Sequence, residues 1–245
     1  MLFRHVDWQR LSVLSLAWFA LIVLAYLYLD RPIAWFVHDH LRDPFIMGIG
    51  GPAVFESLTN VATAMEPLSI IGIACLGAAI LSGWRRKPWT RLLLAAAIAT
   101  VVADVTKNEL KLAFGRAWPE TWYHDNPSLI VNGVYGFFPF HGDIGWGSFP
   151  SGHTTLIATP MAVLWFARPH LRWVSVLLTG LVIFGLIGLN YHFLSDCMAG
   201  LWLGTVVGGA AAVLFGLTER QQPRASLQPA DTPATGTPAR VSEPN

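Results

Sequence analysis

His192 and Asp196 stand four residues apart in "GLIGLNYHFLSDCMAG" (185–200), one of the most apolar stretches of the chain. Ionisable residues inside apolar spans are costly to keep and mark function. On a helix this spacing sets both side chains along one face. The carboxylate can then accept one ring N–H, fix the tautomer and leave the other nitrogen free to attack. A second imidazole, His153, lies in "FPSGHTT" (149–155) and is suited to protonating a leaving oxygen. Ser151 is a natural N-cap, and Gly152 lets a ligand approach the backbone closely. Helix N-termini starting at these segments attract anions through unpaired N–H groups and the helix dipole. Lys111 and Arg116 add formal positive charge. A nucleophile, its orienting acid, a proton donor and an anion cradle make a phosphoryl-transfer set that needs no metal ligands.

These residues must be held by helices in a membrane. Of the 245 residues, 53% are hydrophobic and only 13% are charged, against roughly 25% charged in soluble domains. Cys75 and Cys197 form no disulfide framework and no metal pair. With a net charge of +1 and no basic patch interleaved with exposed aromatics, nucleic acid is not an expected partner. The apolar runs predict an all-α fold of six spans: Leu11–Leu29, Leu58–Ser82 with Glu66-Pro67 as a kink, 92–114, 151–167, Trp173–Leu189 and 191–217. The first run is long for a signal peptide, and "LYLDRP" offers no cleavage site, so it is read as a retained helix. Residues 1–57 form the first helix and a connecting segment, 58–217 the core, and 218–245 a Pro-rich disordered cytoplasmic tail.

Most of the 16 Lys and Arg fall in segments on one side, including "WRRKPWTR" (84–91) and "RPHLR" (168–172). By the positive-inside rule both termini are then cytoplasmic. The outer ends of the third, fourth and sixth spans carry the ionisable residues to one face, with a long Gly-, Pro- and Trp-rich loop from 115 to 150 above them. Asp104 and Lys107, three residues apart, read as an ion pair.

"KLAFGRAWP" (111–119), "PSGH" (150–153) and "HFLSD" (192–196), in this order and spacing, resemble the three signature motifs of the type 2 phosphatidic acid phosphatase family, which shares its site with vanadium haloperoxidases. The resemblance covers roughly residues 55–215. It implies a metal- and cofactor-independent integral-membrane lipid phosphatase. His192 would form a phosphohistidine, Asp196 would orient it and His153 would act as general acid. Lys111, Ser151 and the Gly152 N–H would hold the phosphoryl oxygens. The chain departs from the family pattern at two places. Trp118 and Leu186 stand where the family has arginines. Arg116 is expected to take over part of their task. Lys107, Asn190, His141 and the loop residues His124, Asp125 and Asp143 are further residues that could rebuild the cradle.

The expected substrate is a phosphate monoester or pyrophosphate on a lipid headgroup, cleaved at the outer face of the cytoplasmic membrane. Two alternatives stay open on sequence alone: phosphoryl transfer from one lipid to another, and a non-catalytic subunit that binds anionic lipid.

Overall fold

A computed structural model describes residues 8–41, 51–81, 88–122, 125–141 and 143–218. Among these residues the chain is helical, with no strand and three isolated β-bridges in the 115–150 loop. The helices are α1 (Trp8–Leu24), α2 (Asp30–Leu41), α3 (Gly51–Thr63), α4 (Met65–Leu81), α5 (Pro88–Phe114), the short α6 (Leu129–Asn132), α7 (Gly152–Ala167), α8 (Arg172–Gly188) and α9 (Leu194–Leu214). Residues 1–7, 42–50, 82–87, 123–124, 142 and 219–245 lie outside the described residues, and with them Arg4, the start of "WRRKPWTR", His124 and the tail.

Among the described residues four stretches are long and apolar enough to cross a membrane: Trp8–Leu41, Trp89–Phe114, Pro169–Gly188 and Leu194–Leu214. The expected second span, Leu58–Ser82, is instead divided at Ala64 into α3 and α4, of 13 and 17 residues. The first span is longer than its apolar run suggests. Its apolar run stops at Leu29, where the charged residues Asp30 and Arg31 follow. A π-helical turn, Ala25–Leu29, lies just before Pro32 and carries the helix on to Leu41, a usual way of absorbing a local break.

The centre is built from α5, α7 and α9, each packed on the other two. Small residues set how close α7 and α9 come. A Cβ on Gly204 would lie 2.7 Å from the Ala158 Cβ and 2.9 Å from the Thr155 carbonyl oxygen. Only glycine admits that crossing, as in other close helix pairs in membranes. Around this centre, α4 lies on α5 and α3 lies on α8, while α8 covers α7. The first helix docks on α9, where the Trp18 indole N–H donates to the Met198 carbonyl at 3.0 Å.

The 115–150 loop is a compact cap rather than an open excursion. Gly115 takes a left-handed φ of +53°, which turns the chain sharply off the end of α5. Arg116 N–H then donates to the Trp146 carbonyl (2.6 Å) and Ser148 N–H to the Arg116 carbonyl (3.1 Å). Trp118 and Leu129 are tied in the same way, Leu129 N–H donating to the Trp118 carbonyl at 3.0 Å. The cap thereby carries Arg116, Trp118 and Ser148 over the start of α9.

Candidate active site

The C-terminal end of α5, the first turn of α7 and the turn before α9 meet at one end of the bundle. They enclose a cavity of about 360 Å³ lined by Lys107, Lys111, Gly152, His153 and His192, with Trp118, Trp122 and Tyr191 as an aromatic wall. Thr63, Asn126 and Leu156 complete it.

His192 lies ahead of α9, not on it. The N-cap is Phe193, and Asp196 is the third residue of the helix. The two therefore do not share a helical face as their spacing predicts. They meet because the turn folds back. The Asp196 Oδ2 accepts the Phe193 N–H at 3.0 Å, closing the helix start, and lies 3.6 Å from His192 Nδ1. The Ser148 hydroxyl donates to the same Oδ2 at 2.7 Å and lies 3.5 Å from Nδ1. Nδ1 is thus committed to the carboxylate side, which leaves Nε2 as the nitrogen available to the cavity. The His153 ring stands across from it, centroids 6.4 Å apart, and the Trp118 ring packs on His192 at 5.0 Å.

Two lysines supply the cavity's formal positive charge. Lys107 and Lys111 are one turn apart on α5. Gly152 makes room for them: a Cβ there would lie 3.3 Å from the Lys107 Cε and 3.6 Å from the Lys111 Nζ. Both ammonium groups therefore gather at the N-terminus of α7, where the dipole already favours an anion. The expected ion pair with Asp104 is present, Lys107 Nζ to Oδ1 at 2.5 Å, and Lys107 also donates to Asn108 Oδ1 at 3.0 Å. Lys111 Nζ sits 5.7 Å from the centroid of the Trp118 ring.

Ser151 is buried beneath the cavity, not in its wall. Its hydroxyl oxygen caps α7, accepting from the Thr154 N–H at 3.4 Å and the Thr154 hydroxyl at 3.0 Å.

The structure corrects the expectation for Arg116. Its side chain is fully buried beside the cavity, ringed by Tyr26, Tyr135, Phe137 and Phe193, with Phe193 closest at 4.4 Å. One arm donates to the Asp196 Oδ1 and to the Ser195 hydroxyl (2.7 Å), the other to the Asp30 Oδ2 (2.7 Å). Burial works against its charge, but the carboxylates of Asp196 and Asp30 outweigh burial and hold its pKa above the ordinary arginine value. Both terminal nitrogens are thus engaged, and the buried side chain does not line the cavity where a phosphate would sit. Burial, joined by the Asp30 charge, likewise pushes up the pKa of the neighbouring Tyr135 phenol.

The other compensating residues separate in the same way. Asn190 is buried and donates to the Ala34 carbonyl (3.1 Å) and Glu120 Oε2 (3.3 Å), so it joins α2 to the cap. His141 is exposed on the cap, its Nδ1 2.9 Å from the Phe138 carbonyl oxygen. Asp143 accepts the Gly145 N–H at 2.6 Å within its own turn, and Asp125 is exposed. Of the described residues that could rebuild the cradle, only Lys107 lines the cavity. Trp118 lines it as an aromatic, and Leu186 is a fully buried core residue packed with Ile157 and Cys197. Sequence reasoning missed Asp30, Ser148 and Ser195. Asp30 carried the one usable signal, an acid at the end of a long apolar run.

The model of the PAP2 superfamily matches residues 88–219, more than half of the chain. The chain belongs to the PAP2 superfamily. The superfamily match begins at α5 and so leaves the helices from α1 to α4 outside it. Two curated relatives are similar over 115 residues each: a lipid A 1-phosphatase of Rhizobium johnstonii, 30% identical over 47% of this chain and 44% of that protein, and one of Rhizobium etli, 32% identical over 47% of each. The chain spans about half the length of these relatives. Among solved structures it is similar to a transmembrane PAP2 type phosphatidylglycerolphosphate phosphatase from Bacillus subtilis. That likeness has a TM-score of 0.46 and 18% identity, covering 80% of this chain and 92% of that one.

Proposed function

We propose that the protein is an integral-membrane phosphatase that removes a phosphate, or the terminal phosphate of a pyrophosphate, from a lipid headgroup at the outer face of the cytoplasmic membrane. The observation that carries this reading is the convergence of His192, His153, Lys107 and Lys111 on one cavity at the N-terminus of α7. His192 Nε2 attacks phosphorus, forming an N–P bond while the P–O bond to the lipid breaks. His153 gives its proton to the departing lipid oxygen. Asp196 and the Ser148 hydroxyl hold the Nδ1 side as the ring gains positive charge. His153 then takes a proton from water, whose oxygen bonds to phosphorus as the N–P bond to His192 breaks, releasing inorganic phosphate. The two lysines and the N–H groups of Gly152 and His153 stabilise charge on the transferring group, the main catalytic need in phosphoryl transfer.

The bundle would cross the membrane six times, with α7 and the α3–α4 pair joining the four long stretches. Both termini would face the cytoplasm and the cavity the exterior. Among substrates, the 1-phosphate of lipid A is the one the relatives' names give, and the wall of Trp118, Trp122 and Tyr191 offers flat faces to a ring.

The test is phosphate release by the purified full chain from lipid A, phosphatidic acid, phosphatidylglycerophosphate and polyprenyl pyrophosphate, beside a His192→Ala variant. Release by the wild type and none by the variant is expected. Equal release by both would sink the catalytic reading. Release in water without an acceptor lipid identifies a hydrolase.

A further inference from the structure

Asp30 lies on the first helix, outside the region matched to the PAP2 superfamily, yet it is among the most enclosed carboxylates near the cavity, 1% exposed. Its Oδ1 accepts the Ser195 N–H at 2.9 Å, in the first turn of α9. Its Oδ2 accepts from the Ser195 hydroxyl at 2.5 Å and from Arg116 at 2.7 Å. The π-helical turn just before it lies against the cap, where the Tyr26 carbonyl accepts the Tyr135 hydroxyl and the two tyrosine rings stack at 5.0 Å. Two carboxylates, Asp30 and Asp196, thus share one guanidinium, and all three side chains are closed to solvent.

This charge count has a chemical consequence. Arg116 paired with Asp196 alone would cancel the negative charge beside His192 Nδ1. With Asp30 on its other arm, the triad keeps one negative charge in a low-dielectric site, where charge acts strongly and is costly to leave uncompensated. The group next to that charge is the ring that turns cationic when Nε2 takes the phosphoryl group. We propose that Asp30 is a positioning residue for the nucleophile: by occupying Arg116, it leaves Asp196 free to stabilise positive charge on His192. The first helix thereby completes a site whose reacting groups all come from α5 onward. The proposal rests on the phosphatase reading above.

The test measures kcat and KM for Asp30→Asn on whichever lipid phosphate the wild type turns over best, with thermal unfolding in detergent as a check of the fold. The Asn side chain keeps the shape and loses the charge. Loss of an outer-shell partner of this kind predicts a fall in kcat of about ten- to a hundredfold, with KM close to wild type because no contact to the substrate is removed. The decisive variant is the double change Asp30→Asn with Arg116→Gln, which removes charge and counter-charge together. It should regain part of the kcat lost in Asp30→Asn. A purely structural Asp30 predicts the reverse, with two buried losses adding. Unchanged kcat in folded Asp30→Asn, or a double variant no better than the single one, overturns the proposal. Should Asp30→Asn not fold, the double variant decides: kcat within about tenfold of wild type supports charge balancing, and activity as low as His192→Ala overturns it. A wild type that releases no phosphate from any lipid in the panel removes the phosphatase reading itself, whereas an active wild type with a neutral Asp30→Asn removes only this inference.

Discussion

Lys107 and Lys111 face the same cavity under different constraints. Asp104 and Asn108 hold the Lys107 ammonium, so part of its charge is already answered. Among the described residues no carboxylate pairs with Lys111, whose Nζ sits over Trp118 beside Gly152. Lys111 should therefore carry more of the transition-state charge. Replacing it by Met is expected to lower kcat/KM about a hundredfold, the usual scale for losing one preorganised contact. Lys107→Met should cost less, since the substitution also releases Asp104 to water or lipid headgroups. Steady-state kinetics on the best lipid phosphate checks the order; a larger loss at Lys107 would contradict it. The same comparison explains how this chain does without arginines at Trp118 and Leu186. The tryptophan packs on the nucleophile's ring and the leucine is core, so neither position is a vacant phosphate grip. On the proposed function the grip would fall to two lysines on one helix face, a pattern visible in the sequence as "KNELK" (107–111).

At the scale of elements, the close α7–α9 crossing sets the distance between the two histidines, because His153 opens one helix and His192 precedes the other. Gly200, Gly204 and Gly208 recur every fourth residue along α9 and face α7. Gly204→Val would force the Ala158 side chain and the Thr155 carbonyl away. Overpacking of this sort costs about 1–3 kcal/mol. A lower thermal midpoint and a reduced kcat are expected, while Gly180→Ala on α8, with nothing within 4 Å of the added Cβ, should change neither. Wild-type kcat in Gly204→Val would show that the crossing does not position the histidines. The helices of this centre were legible in the sequence because each is an apolar run bounded by polar or Pro-containing segments, and the expected bounds of α5, α7 and α9 fall within a few residues of those observed. The length of the first helix was not, because its apolar run stops at Leu29 while the helix continues through Asp30, Arg31 and Pro32 to Leu41. Arg116 was misassigned for a similar reason. It lies inside the lysine motif, two residues before Trp118, where the family has an arginine, but its partner Asp30 is 86 residues away, and no local pattern reports a contact of that range.

At the scale of the whole molecule, the orientation depends on whether α7 crosses the bilayer. Its 16 residues span about 24 Å at 1.5 Å each, short of a hydrocarbon core about 30 Å thick. A lipid-facing helix of that length would be mismatched. But α7 is wrapped by α3, α5, α8 and α9, and irregular backbone is tolerated at membrane depth where protein, not lipid, surrounds it. Ser151 caps its first turn, and the 3₁₀ turn Pro169–Leu171 extends its other end. Single cysteines at Phe140 and His170, placed in a Cys75→Ala, Cys197→Ala background, bracket this one helix. Both positions are exposed. In intact cells or right-side-out vesicles, a membrane-impermeant maleimide should label Phe140→Cys, on the cap above the cavity. It should reach His170→Cys, beside Arg168 and Arg172, only after permeabilisation, as the positive-inside rule requires. Labelling of both from one side would mean that α7 turns back within the membrane. His153 would then still sit beside His192, but the six-crossing arrangement and the cytoplasmic placement of the Arg168–Arg172 turn would fall together.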